Sequence, residues 1–351
     1  NGHGWIGLRF QKDPKNEPND FLIHVRLKDQ EARLQQETIG IIGTNLMHAC
    51  FSESNPKTIL KRLYDNLSID NFEIDMVETV GPDFENIDNR LLSLTLVKER
   101  MTNAVIFTPD GKNKYPSDIL HKKNILTLRG SFRPVTKVNI DMLTEGLNKF
   151  KENKKVDEDN IQLLLEITLS NLMTDGEVDE RDFLDRADIL CSLGYTVMIS
   201  NYRKYYKLSE YLSRYTNARM GLIIGVDNLV EMFDEKYYRN LNGGIMEAFG
   251  IIVTRDIKIY LYPYQADSSK ELINSKNIPI HPRGKSIYEY LFNNKRIEDL
   301  SYNSEILNIF SRDVLKKIKS CEIGTWEHMV PDGVSKIIKD KSLFGMSCKI
   351  K

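Results

Sequence analysis

Five short runs, residues 125–130, 161–169, 196–200, 221–226 and 257–262, are almost wholly apolar, and stretches with helical spacing lie between them, at about 140–150, 182–193, 205–215 and 229–253. A strand with apolar side chains on both faces must be covered on both. The intervening stretches are long enough to carry the chain back over the sheet, so successive strands run parallel. The fold class that follows is α/β: a mainly parallel sheet with helices on both faces, doubly wound and Rossmann-like rather than a closed barrel. The last helical stretch is expected to break at Asn242-Gly243-Gly244, since paired glycines interrupt helices.

The first hundred residues alternate less regularly. Residues 5–10, 21–27, 72–77 and 104–107 read as strands, 34–51 and 90–100 as helices, and Pro56 opens a short helix ending near Leu67. Thr108-Pro109-Asp110-Gly111 is a turn, and the polar stretch 111–123 with Pro116 marks a boundary or a long loop. A chain of 351 residues is long for one hydrophobic core. The expected organisation is an N-terminal α/β region over residues 1–115, a parallel-sheet domain over 116–266 and a mostly helical C-terminal wrap over 267–351. The opening Asn1-Gly2-His3-Gly4-Trp5 carries no Met and reads as a domain entered partway.

Charge excludes some partners. Forty-nine basic against fifty acidic side chains leave a net charge of -1, so no global field draws the chain to nucleic acid or to an anionic membrane. No apolar run approaches the roughly 18 residues of a membrane span. The cysteines, Cys50, Cys191, Cys321 and Cys348, are far apart and form no CxxC pair. They read as thiols in a reducing, cytoplasmic setting. The six histidines are equally dispersed, so spacing points to no metal centre.

Familiar short motifs fail on inspection. Gly284-Lys285-Ser286 ends like a phosphate loop, but Pro279 stands where the first glycine belongs. Gly40-Ile41-Ile42-Gly43 lies inside a helix rather than after a strand, and Asn171–Asp182 resembles a calcium loop with Met173 in a ligand position. More informative are the polar residues that follow the strands, because open parallel sheets bind ligands outside the strands' carboxyl ends. Arg129, Ser131 and Arg133 alternate after the first run; if extended, they face one side and clamp a phosphate or carboxylate. Glu166 sits in an apolar strand with Thr168, Ser170 and Asn171 behind it, and a buried carboxylate needs a partner. That partner is either a structural arginine or a reacting group. Ser200-Asn201, with Arg203 just beyond, and Asp227-Asn228 end the next two runs, placed to cap helices or to line a pocket.

Several phrases carry a resemblance: Gly4-Trp5-Ile6-Gly7, Val80-Gly81-Pro82-Asp83-Phe84, Arg129-Gly130-Ser131-Phe132-Arg133-Pro134, Asp182-Phe183-Leu184-Asp185-Arg186, Phe233-Asp234-Glu235-Lys236-Tyr237-Tyr238 and Trp326-Glu327-His328-Met329-Val330-Pro331. Over nearly its whole length the chain resembles a bacterial family of uncharacterised cytosolic proteins, automatically named nicotinate-nucleotide adenylyltransferase or TonB-dependent receptor. The receptor name conflicts with the missing barrel strands. The adenylyltransferase name implies a [His/Thr]-x-Gly-His motif and a later Ile-Ser-Thr-x-x-x-Arg motif. Asn1-Gly2-His3 matches the tail of the first, and Ile199-Ser200-Asn201-Tyr202-Arg203-Lys204 echoes the second. The residue before Asn1 lies outside the sequence, and residues 5–10 read as strand where those enzymes have a helix.

Two functions fit these readings. The first is an enzyme that binds or acts on a nucleotide or small phosphorylated metabolite, by nucleotidyl transfer or a related reaction. Arg129, Arg133 and Arg203 would hold anionic oxygens, Ser131, Asn171, Ser200 and Asn201 would complete the ligand contacts, and Glu166 or Asp227 would serve as the acid-base or Mg2+-facing carboxylate. The second is a non-catalytic scaffold or self-assembling protein. Its support is the tyrosine-rich stretch from Tyr202 to Tyr238, where Tyr206 and Tyr211 exceed one apolar helix face and suggest a homo-oligomer.

Overall fold

The computed structural model describes residues 2–174, 176–265 and 271–347, which form two compact units, Asn1–Asp118 with Met198–Asn201 and Ile119–Val197 with Tyr202–Lys351. Asp175 and Cys348 lie outside the described residues. No helix among them is long and apolar enough to cross a membrane.

The first unit holds strands β1 (His3–Phe10), β2 (Asn19–Leu27), β3 (Phe72–Val80), β4 (Ala104–Phe107) and β5 (Asn113–Lys114), with helices α1 (Ala32–Ser52), α2 (Pro56–Arg62) and α3 (Asn89–Lys98). Strands β1, β2 and β3 make an antiparallel sheet in that order. The parallel expectation therefore does not extend to it. Neighbours joined by short connections can pair antiparallel without a crossover, and only eight residues separate β1 from β2. One sheet face is apolar through Phe10, Phe21, Ile23, Val25 and Ile74, all buried. Helix starts follow the sequence signals: Asn55 accepts from the Lys57 N–H ahead of α2 at 2.9 Å, and Asp88 from the Arg90 N–H ahead of α3 at 2.9 Å. Helix α4 (Pro116–Leu120) follows.

In the second unit, β6 (Asn124–Arg129), β7 (Ile161–Thr168), β11 (Met220–Gly225), β12 (Lys258–Tyr262) and β15 (Ile297–Asp299) pair parallel in the order β15-β12-β11-β6-β7. Strands β8 (Met173–Thr174) and β9 (Glu177–Val178), and β13 (Tyr264–Gln265) and β14 (Leu272–Ile273), form two-stranded antiparallel sheets, and β10 is Thr196–Ser200. In the first unit β4 pairs antiparallel with β5. The helices of the second unit are α5 (Lys137–Lys151), α6 (Glu180–Ser192), α7 (Tyr205–Leu212), α8 (Val226–Met232), α9 (Gly244–Thr254), α10 (Pro282–Asn293), α11 (Ser311–Lys319) and α12 (Val334–Lys341). The expected break before Gly244 separates α8 from α9. Strand β15 was not legible, because Ile297-Glu298-Asp299 has one apolar residue.

Starting from β6, the chain adds β7 on one side and then returns to place β11 on the other. This reversal is where crevices form in open α/β sheets. Helix α5 approaches β11 closely at Gly146, where a Cβ would stand 2.3 Å from Ile223 Cδ1. Gly146→Ala is expected to lower stability by about 1–2 kcal/mol, overpacking strain outweighing the helix-propensity gain. Denaturant melts check this, and Gly146→Ala with Ile223→Val should recover part of the loss.

The tyrosine argument for self-assembly is corrected. Tyr206 is 5% and Tyr211 2% exposed; Tyr206 packs on Tyr238, and Tyr211 on Tyr202 and Tyr215. They extend the core rather than the surface, because residues after α8 cover the face that one helix alone leaves bare. The reading of four thiols is corrected as well: Cys321 is disulfide-bonded, while Cys50 and Cys191 are buried.

Candidate functional site

A cavity of about 510 Å³ opens where β6 and β7 end and α7 and α8 begin. Its lining contains Arg129, Gly130 and Ser131 after β6; Thr168, Ser170 and Asn171 after β7; Arg203, Lys204 and Tyr205 at the start of α7; and Asn228, Glu231, Tyr237 and Tyr238 from α8 onward.

Register creates the central ion pair. Arg129 and Glu166 are lateral neighbours on parallel strands, so their side chains meet. Arg129 Nε donates to one Glu166 oxygen at 2.8 Å and Nη2 to the other at 2.9 Å, with Glu166 fully buried. Nη1 donates to the Arg203 carbonyl at 3.2 Å, and the guanidinium lies 4.3 Å from the Tyr205 ring centre. Burial opposes the Arg129 charge, but Glu166 more than offsets it and the pKa is raised. Of the five guanidinium N–H groups, three are used in these bonds.

Tyr205 is 9% exposed and lines the cavity, and its buried hydroxyl has no hydrogen-bond partner among the described residues. Burial pushes the phenol up to about 12, against the pull of Arg129, so at neutral pH it is a hydroxyl able to donate. Lys204, its neighbour, stands with Nζ 3.4 Å from the Tyr237 ring centre, and burial lowers its pKa while Glu231 opposes. No side chain caps the amino end of α7, which leaves first-turn N–H groups available to an acceptor.

A second buried network holds the floor. Arg186, 1% exposed, donates through Nη1 to the Ser131 carbonyl at 2.9 Å and the Asn171 carbonyl at 2.7 Å, and through Nη2 to Asp182. Burial lowers the Arg186 pKa, with Asp182 opposing. Arg133 Nε approaches Asp182 Oδ1 to 2.6 Å, although the angles make no hydrogen bond. Phe132 takes a left-handed φ of 47°, so the run from Arg129 to Arg133 is not extended. The expected two-arginine clamp is thereby corrected: Arg129 faces the cavity, while Arg133 turns to Asp182 and is not in the lining.

The structure brings together Arg129, Ser131, Asn171 and Arg203 from the sequence-derived set. Glu166 lies behind Arg129 with both oxygens engaged. Asp227 is exposed in the first turn of α8, outside the lining. Ser200 and Asn201 group with the first unit, where the Asn201 N–H donates to the Asn103 carbonyl at 2.8 Å. Lys204, Tyr205, Glu231 and Tyr237 were missed, since strand-end reasoning stopped at the first polar residues and did not follow the chain into the next helical turn. As to Mg2+, Glu231 is the one carboxylate in the lining and it faces Lys204. These residues do not fit a resident divalent ion. Neither a protein-family profile nor a curated protein matches the chain.

Proposed function

We propose that the cavity of the second unit binds a nucleotide or other small phosphorylated metabolite. The observation that carries this reading is the unpartnered Tyr205 hydroxyl beside Arg203, Lys204 and the uncapped amino end of α7. Phosphate oxygens accept from all four kinds of donor, and the partial positive charge of a helix amino end favours them. Arg129 contributes its remaining N–H groups while Glu166 fixes its plane. Nucleotidyl transfer suits such a site, because charge develops on phosphate oxygens where these donors converge; Glu231 is then the carboxylate within reach of a proton. The reading takes the parallel sheet as doubly wound and Rossmann-like with a helical C-terminal wrap, in a cytoplasmic protein.

Titration of the protein with inorganic phosphate and with adenosine mono-, di- and triphosphates, read by thermal shift and calorimetry, tests the proposal. Arg203→Ala is expected to weaken the nucleotide about tenfold or more, the loss of one charge-assisted hydrogen bond of roughly 1.5–3 kcal/mol. Its side chain is exposed, so stability should hardly change. No saturable binding of any of the four, or equal affinity in the variant, refutes the reading.

A further inference from the structure

The first unit holds a chain of three polar side chains that the cavity of the second unit does not use. His24 Nδ1 lies 2.6 Å from Asp75 Oδ1, with side chains 1% and 2% exposed, and His24 Nε2 lies 3.3 Å from Nδ1 of the exposed His3. The cause is a bulge. His24 pairs with Met76 but Val25 with Ile74, so Asp75 has no partner across the ladder. A bulge re-aims a side chain, and here it brings the carboxylate to the sheet face that already carries His3, Trp5 and His24 by alternation.

The hydrogen bonds fix the tautomers in sequence. Asp75 as a carboxylate only accepts, so the proton between it and His24 sits on His24 Nδ1. His24 Nε2 is then an acceptor, and His3 must donate to it from Nδ1. The lone pair of His3 Nε2 is left free on the exposed side. Burial raises the Asp75 pKa, with the His24 hydrogen bond opposing it.

Beside this chain is a cavity of about 700 Å³ whose wall includes Trp5 and Tyr115. The Trp5 ring centre is 5.0 Å from that of His24, and the Tyr115 ring is 3.9 Å from His24 and 6.2 Å from His3. Trp5 remains 50% exposed. Glu78, Glu85, Asp88 and Asp118 line the cavity together with Arg90, Lys112 and Lys114, so the wall carries charges of both signs and selects for neither.

We infer that His3 Nε2 is a general base for a neutral ligand that carries a flat ring and an ester or hydroxyl group, held against Trp5 and Tyr115. With an aryl ester, His3 Nε2 takes a proton from water as the water oxygen adds to the carbonyl carbon. The bond to the aryl oxygen then breaks, and the proton passes from His3 to the departing oxygen, giving one acid and one phenol. His24 and Asp75 are positioning residues: the imidazolium formed at His3 can pass its Nδ1 proton to His24, beside the buried carboxylate. In known hydrolases a buried carboxylate orients the histidine base by accepting its Nδ1–H directly; here His24 stands between the base and the carboxylate.

The probe is p-nitrophenyl acetate with the whole chain, together with 15N spectra of the histidine rings. Expected are hydrolysis at least about tenfold faster than in His3→Gln, a general base being worth at least that much, and a His3 ring protonated at Nδ1 and bare at Nε2. His3 is exposed, so His3→Gln should fold normally. Asp75→Asn should lower hydrolysis and shift His3 toward the other tautomer, an effect that a merely structural carboxylate would not produce. Equal hydrolysis in wild type and His3→Gln, or a wild-type His3 protonated at Nε2, overturns the inference.

Discussion

Glu166→Ala is expected to be among the most damaging single changes in the chain, lowering stability by about 3–5 kcal/mol, the range for removing one partner of a buried ion pair. Glu166 is fully buried and Arg129 is 9% exposed. Without the carboxylate, the guanidinium keeps only the Arg203 carbonyl and the Tyr205 ring as compensation. For a unit of this size the melting temperature should fall by roughly 10 °C. The double variant Glu166→Leu with Arg129→Met separates pair from packing. Replacing both charges with apolar groups of similar volume should return most of the stability, whereas nucleotide affinity, which needs the Arg129 donors, should stay low. Calorimetric melts with ligand titration read both. If Glu166→Ala melts within a degree or two of wild type, the pair does not hold the strand ends together.

Arg186→Ala is the second large expected loss, again about 3–5 kcal/mol, with a local signature. Its Nη1 joins the carbonyls of Ser131 and Asn171, which belong to two different strand-end loops. Two carbonyl groups would lose a donor, and Asp182 would keep Arg133 alone. Amide exchange should quicken at residues 130–133 and 169–172 more than elsewhere, and ligand affinity should fall although Arg186 is not in the lining. Arg186→Lys should rescue little, because an ammonium group cannot reproduce a planar fork that reaches three acceptors. Uniform exchange across the unit would show that the residue supports the fold in general rather than the cavity floor.

The parallel sheet was legible because its signal is redundant. Five strands of the second half announce themselves through a run of apolar residues: Ile161–Thr168 and Thr196–Ser200 start at the expected residues, and Asn124–Arg129 and Met220–Gly225 lie within one residue of expectation. Burial on both faces needs many apolar side chains, and no neighbour can supply them. Polar residues at strand ends were legible for the same reason: position along the strand places Arg129, Ser131 and Asn171 at one edge of the sheet.

Patterning along the chain thus establishes the class of the second unit, the approximate limits of its apolar strands, and the edge on which Arg129, Ser131, Asn171 and Arg203 gather. Only the tertiary structure decided which charges are spent and which remain. Arg129 and Arg133 look equivalent in sequence, yet lateral register gives one to Glu166, and a left-handed φ at Phe132 turns the other to Asp182. His3, His24 and Asp75 are far apart along the chain and meet through an antiparallel register and one bulge. Hydrophobic patterning is a local property, repeated at every turn and strand. Pairing among polar groups depends on ångström distances between segments remote in sequence, and those exist only once the chain has folded.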